Sequence, residues 1–160
     1  MKQTILILLL LTETYAQESH QTKTYSMEQL KGTWNYFYED NDTDSSMVIS
    51  GTNTYSLNGT LISKGSIKFF NADKKLSAKT NIIMHDEWSI EGNKLIEQVI
   101  ECQFDYIKKS KDDFIVMMMD IVLKSMCNAQ LKTTSDILDI SPEEFTTRDL
   151  NETQVYTKVK

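Results

Sequence analysis

Lys31–Asp40 reads KGTWNYFYED, and this stretch decides the fold. It holds the first tryptophan, two residues after a glycine and just ahead of an aromatic run. In an extended chain Trp34, Tyr36 and Tyr38 point to one face, and Asn35, Phe37 and Glu39 to the other. The run therefore reads as a strand with one aromatic side. SMEQLKG, directly before it, reads as a single helical turn. Ser26 can cap the turn, Gln29 stands at the capping-box position, and Gly32 ends it.

The rest of the chain alternates short strand-like runs with turn residues. MVIS and TYSL are read as strands, and Asn58-Gly59 followed by TLIS gives the clearest hairpin. Lys64-Gly65 reads as a turn or bulge before SIKFF, and NADKK as a turn. LSAKTNIIMHDEWSI is strand-like, Glu91-Gly92-Asn93 turns, and KLIEQVIECQF returns. Its two faces are Leu95, Glu97, Val99, Glu101, Gln103 and Ile96, Gln98, Ile100, Cys102, Phe104. Neither is purely apolar, so helix is an alternative there. KDDFIVMMMDIVLKSMCNAQL has no Gly or Pro. Phe114, Met117, Met118, Ile121, Val122 and Met126 roughly follow helical spacing, which predicts a helix over 112–128 with a core-packing Met stripe. A strand, FIVMMMDIVL, is the competing reading. SDILDI, then EEFTTRD and TQVYTKV as a closing hairpin, complete an all-β, mainly antiparallel pattern of sandwich or barrel type.

A helical turn, Gly32-Thr33-Trp34 on the first strand and an antiparallel meander resemble the lipocalin and wider calycin pattern. The closer resemblance is to small exported bacterial proteins with a lipocalin-like domain. The shared motifs are L-x-G-x-W (Leu30 to Trp34), W-x-I-x-G-N-x-L (Trp88 to Leu95) and the final I-x-x-I-S-P-E-E-F. The resemblance covers roughly Ser26 to Lys160. It implies an up-and-down β-barrel whose Trp34 closes one end under a basic side chain from late in the chain. Arg148 and Lys158 are the two candidates. The segment from Lys108 to Thr134 departs from the family pattern and reads as an inserted helix or lid.

MKQTILILLLLTETYAQE at the start reads as a signal peptide. Lys2 is its basic region, Ile5 to Leu11 its apolar region, and Thr14 and Ala16 flank a cleavage after Ala16. The apolar run is shorter than the roughly 20 residues that span a bilayer; a retained N-terminal anchor is the alternative. The expected organisation is a signal peptide over 1–16, a flexible segment over 17–25 and a barrel domain over 26–160. The exported product would be periplasmic or secreted. The net charge of −6 argues against nucleic acid, which requires clustered cations. Cys102 and Cys127 are the only cysteines, and export favours a disulfide between them over two buried thiols.

No motif points to an enzyme or a cofactor. Asp40, Asp42 and Asp44 mimic the start of a calcium loop, but Ser45 and Gly51 stand where Gly and Glu are needed. His85-Asp86-Glu87 lacks further ligands or a nucleophile and reads as a polar cluster at a strand end. Three glycosylation sequons, at Asn41, Asn58 and Asn151, fall in expected turns. The aromatic residues Tyr36, Phe37, Tyr38, Tyr55, Phe69, Trp88 and Phe104 are the candidate lining of a cup for a small apolar ligand, or else the filling of a small core. Non-catalytic ligand binding is the first expectation. The second is an envelope interaction protein, an inhibitor or immunity-type factor. It would hold a cationic lytic enzyme through Glu39–Asp44 and Asp112-Asp113.

Overall fold

The structure, a computed structural model, describes residues 23–41, 45–109, 114–150 and 152–160. The expected signal peptide and Gln17–Thr22 lie outside the described residues. So do 42–44 of the acidic turn, Asp112, Asp113 and Asn151.

One helical turn, α1 (Met27–Leu30), leads into β1 (Gly32–Asn41), β2 (Ser45–Tyr55), β3 (Thr60–Asn71), β4 (Leu76–Glu91) and β5 (Lys94–Lys109). Helix α2 (Phe114–Asn128) follows, then β6 (Lys132–Ile140), β7 (Glu144–Asp149) and β8 (Glu152–Lys158). The eight strands form one closed barrel in sequence order, each antiparallel to its neighbours. Closure satisfies the strand edges that an open sheet would leave bare.

Several turns match the sequence. Gln29 Oε1 accepts a hydrogen bond from the Ser26 backbone N–H at 2.9 Å, as a capping box requires. At the β2–β3 hairpin Gly59 takes a φ of +83°, and Asn58 Oδ1 accepts from the Thr60 N–H and hydroxyl. KLIEQVIECQF is strand, within β5, and not helix. The segment before the barrel is pinned sooner than expected: the Tyr25 N–H donates to Gly92 O and its hydroxyl to Leu138 O.

Two expected breaks are absent. MVIS and TYSL are one strand, and β3 runs straight through Lys64-Gly65. Gly51 pairs with both Tyr36 and Gly65, so the two glycines lie side by side. A Cβ at either would strike the Tyr36 hydroxyl and neighbouring backbone. These glycines make room for a tyrosine inside the barrel; they do not turn the chain.

The mixed character of β5 has a specific cause. His85 pairs with Glu101 and Asp86 with Val99, so Ile100 is an extra residue on β5. This bulge reverses the alternation. Leu95, Glu97 and Val99 share the inner side with Cys102, Phe104 and Tyr106, each opposite an inward residue of β4. Ile100 is left 44% exposed.

The core has a floor and a lid. The floor packs Leu30, Trp34, Tyr55, Leu61, Trp88, Leu95, Ile137 and Phe145. Trp34 meets Phe145 edge-on at 4.9 Å between ring centres, and its indole N–H donates to Leu30 O at 2.6 Å. The cation over Trp34 is Lys158, whose Nζ lies 3.9 Å from the ring centre and donates to Lys31 O. Arg148 does not take that place; it is exposed on β7, paired with Asp136 and Thr153.

The lid is α2. Its Val116, Met119 and Leu123 pack on Ile67, Ala78 and Ile82. The buried face is therefore not the expected one, since Phe114, Met117 and Ile121 are exposed. The Cys102–Cys127 disulfide, Cα atoms 4.9 Å apart, ties the end of α2 to the inner side of β5. Cys127 lies four residues after Leu123, so the bridge turns the Leu123 side of the helix inward.

Candidate functional site

The barrel wall is uneven. β4 and β5 have 16 residues each, while β7 and β8 have 6 and 7. β5 pairs with β6 only over Lys94–Gln98, and β1 pairs with β8 only over Trp34–Tyr36. The long strands thus rise past the short ones. The space between floor and lid is a cavity of about 310 Å³.

Its apolar wall comes from Ile49, Leu61, Ile67, Ile82, Met84 and Val99, and its polar wall from Asn53, Ser63, Asp86, Glu97, Tyr36 and Tyr156. Tyr36, Thr133, Gln154 and Tyr156 also line an open groove on the β1–β8 side, so the cavity's mouth faces that groove.

The polar wall is a belt across six strands, and its hydrogen-bonded part runs over β2 to β5. The Tyr55 hydroxyl donates to Glu97 Oε1 at 2.6 Å, and Asn53 Nδ2 lies 3.4 Å from Tyr55 Oη. The Ser63 hydroxyl lies 3.4 Å from Asp86 Oδ2. Asp86 is only 6% exposed and Asn53 9%. Asp86 Oδ1 and Asn53 Oδ1 are both buried without a hydrogen-bond partner. Buried polar atoms are normally paired, so two such acceptors at one cavity stand out.

Burial pushes the Asp86 carboxyl up to about 7; the Glu97 charge adds to the rise and the Ser63 hydroxyl opposes it. Burial also raises Glu97, against the stabilising Tyr55 hydroxyl. Tyr55, Tyr36 and Tyr156 are raised as well, chiefly by burial and then by these carboxylates. Among the described residues no Lys, Arg or His lines the cavity.

No protein-family model matches the chain, and no curated protein does either. What the chain can do must therefore be read from its own geometry. Of the seven aromatic residues expected to line a cup, Tyr36 alone lines the cavity. Tyr55 and Trp88 belong to the floor, where their rings meet edge-on at 4.9 Å. Phe69 and Phe104 pack under the lid. Tyr38 and Phe37 border the outer groove, and Phe37 is 59% exposed.

Asp86 and Glu97 were visible in the sequence but not as a pair. His85-Asp86-Glu87 lies within β4 rather than at its end, with His85 and Glu87 exposed and Asp86 inside. Asp86 continues the inward series Ile82, Met84, Trp88, so a carboxylate in an apolar alternation was the available sign. Glu97 sits between Leu95 and Val99 in the same way. Among the described residues no three His, Cys, Asp or Glu side chains form a metal-holding group, and no helix is long and apolar enough to cross a membrane.

Proposed function

We propose that this protein is an exported, lipocalin-like binding protein that holds a small molecule inside its barrel and performs no chemistry on it. The observation that carries the reading is the cavity of about 310 Å³ between a packed floor and a helical lid, reached from one side. That volume lies at the low end of the range for ligand pockets, about 300–1,000 Å³. An eight-stranded barrel can be filled by its own side chains or can hold one small ligand. Here Gly51 and Gly65 let the Tyr36 side chain lie against the wall, and the small Ser63 lines the cavity.

The lipocalin likeness rests on the strand order, the helical turn before β1, and Trp34 plugging the floor under Lys158. Export rests on the leader-like start of the sequence and on the disulfide, which suits an oxidising compartment.

Native mass spectrometry of the purified protein tests the binding claim, alongside Val99→Phe, which puts a ring into the cavity. A co-purifying small molecule that is absent from the variant is the expected result. No bound mass in either protein, with no rise in melting temperature across a panel of small apolar compounds, would sink the proposal.

A further inference from the structure

We infer that the cavity selects a cationic amphiphile: an organic ammonium group held by Asp86, Glu97 and Asn53, with an apolar body extending toward the lid. The inference rests on the ligand-binding reading and adds to it the chemistry of the ligand.

The two buried, unpartnered atoms of the belt are both acceptors. Asp86 Oδ1 and Asn53 Oδ1 have no donor. Two neighbouring donors are directed to the carboxylates, the Tyr55 hydroxyl to Glu97 and the Ser63 hydroxyl to Asp86 Oδ2. A ligand that completes this wall must bring N–H or O–H groups. Charge narrows the choice further. Two carboxyl groups face one cavity whose lining, among the described residues, carries no cationic side chain. An anionic ligand meets repulsion there, and a neutral hydrocarbon leaves both acceptors stranded. An ammonium group supplies up to three donors and a positive charge. The remaining wall, Ile49, Ile67, Ile82 and Met84, suits an apolar body and not a hydrated metal ion.

Protonation gives the recognition a pH dependence. The groups facing Asp86 are Glu97 from β5, Tyr36 from β1, Tyr55 from β2 and Tyr156 from β8. Tyr106 and Asp120 interact at the lid, above the belt. Burial raises the phenols, so among these groups Asp86 is the one brought into the neutral range, and Glu97 is raised in the same direction. Asp86 loses its charge as pH falls through about 7. An alkylammonium, like a lysine, stays charged well above that range. Ammonium binding therefore strengthens as pH rises from about 6 to 8.

Isothermal titration calorimetry with n-octylamine, 1-octanol and octanoate tests this on the folded full domain and on Asp86→Asn and Glu97→Gln. Circular dichroism confirms that the variants fold; each replaces a carboxyl by an amide of the same shape. The expected result is octylamine binding about tenfold or more tighter than octanol, with octanoate weakest. The preference should shrink in both variants and at about pH 6. Equal binding of all three probes, or a preference that survives both substitutions, overturns the charge selection and leaves the binding protein intact. If none of the three binds and no small molecule co-purifies, both the inference and the reading beneath it fall.

Discussion

Asp86 shows how one residue's setting outweighs its type. The unfolded chain would titrate it near the ordinary carboxylate value of about 3.9. The folded barrel holds its proton up to about 7. The folded state thus binds more protons between these values, and stability falls as pH rises through that window. The full loss, on the order of 2–4 kcal/mol, is reached above about pH 7. Asp86→Asn carries no such penalty. Its melting temperature should exceed the parent's by several degrees at pH 8, and the two should converge near pH 4. Glu97 is shifted in the same direction, so part of the slope should remain in the variant. Lys158 is the second case. Its Nζ sits over Trp34 and bonds to Lys31 O, and burial lowers its pKa. Lys158→Met should cost about 0.5–2 kcal/mol in urea unfolding with an unchanged slope, while Arg148→Met should change little. The family resemblance implied a cation over Trp34 and left two candidates; only the register Trp34 opposite Lys158 chose between them.

At the scale of elements, most strands were legible and their interruptions were not. Alternation and turn residues marked the β2–β3 and β4–β5 hairpins, whose glycines 59 and 92 have positive φ. The glycines at 51 and 65 looked alike in sequence but serve packing against Tyr36. The β5 bulge was invisible because it is defined by pairing with β4. Strict alternation from Cys102 would place Ile100 inside and Val99 outside; the bulge places Val99 in the cavity wall and Ile100 outside. Ile100→Asp should therefore change stability by no more than about 0.5 kcal/mol, while Val99→Asp should be severely destabilising. Thermal melts of the two variants decide it. Helix α2 was expected at nearly its observed place, yet its buried side is Val116, Met119 and Leu123. The helix is apolar on much of its surface, so composition did not single out one side. The disulfide did. Reducing it should cost roughly 3 kcal/mol for a loop of 25 residues. Hydrogen exchange should then rise first in α2, with the floor still protected.

For the whole molecule, the seam is the critical feature. The barrel closes through Trp34–Tyr36 on β1 and Tyr156–Lys158 on β8, a short ladder compared with those joining β2 through β5. Tyr156 stacks on Phe145 with rings 4.1 Å apart, so the last strand also holds part of the floor. Removing residues 156–160 takes away the ladder, that ring and Lys158 together. The truncated chain should lose its cooperative thermal transition and bind a hydrophobic dye, whereas removing only residues 159 and 160 should leave the transition intact. Closure also sets the site. Tall strands on one side and short strands on the other leave the mouth lined by Tyr36, Thr133, Gln154 and Tyr156.

The sequence by itself determined the class of the molecule: many strand-like runs separated by turns, an N-terminal helical turn, and an apolar segment over 112–128 whose spacing favoured a helix over a strand. These follow from local properties, namely alternation, turn chemistry and spacing. Only the tertiary structure decided what the barrel holds. Asp86 and Glu97 come from different strands, and Glu97 shares its wall with Cys102 and Phe104 because one bulge shifts the phase of β5. Lys31–Asp40 shows the same division within ten residues. Its alternation was plain, but closure of the ring made Trp34 a plug, put Tyr36 in the cavity wall and left Phe37 outside. Pairing between distant strands fixes which side is inward, and that is a property of the closed sheet rather than of any one segment.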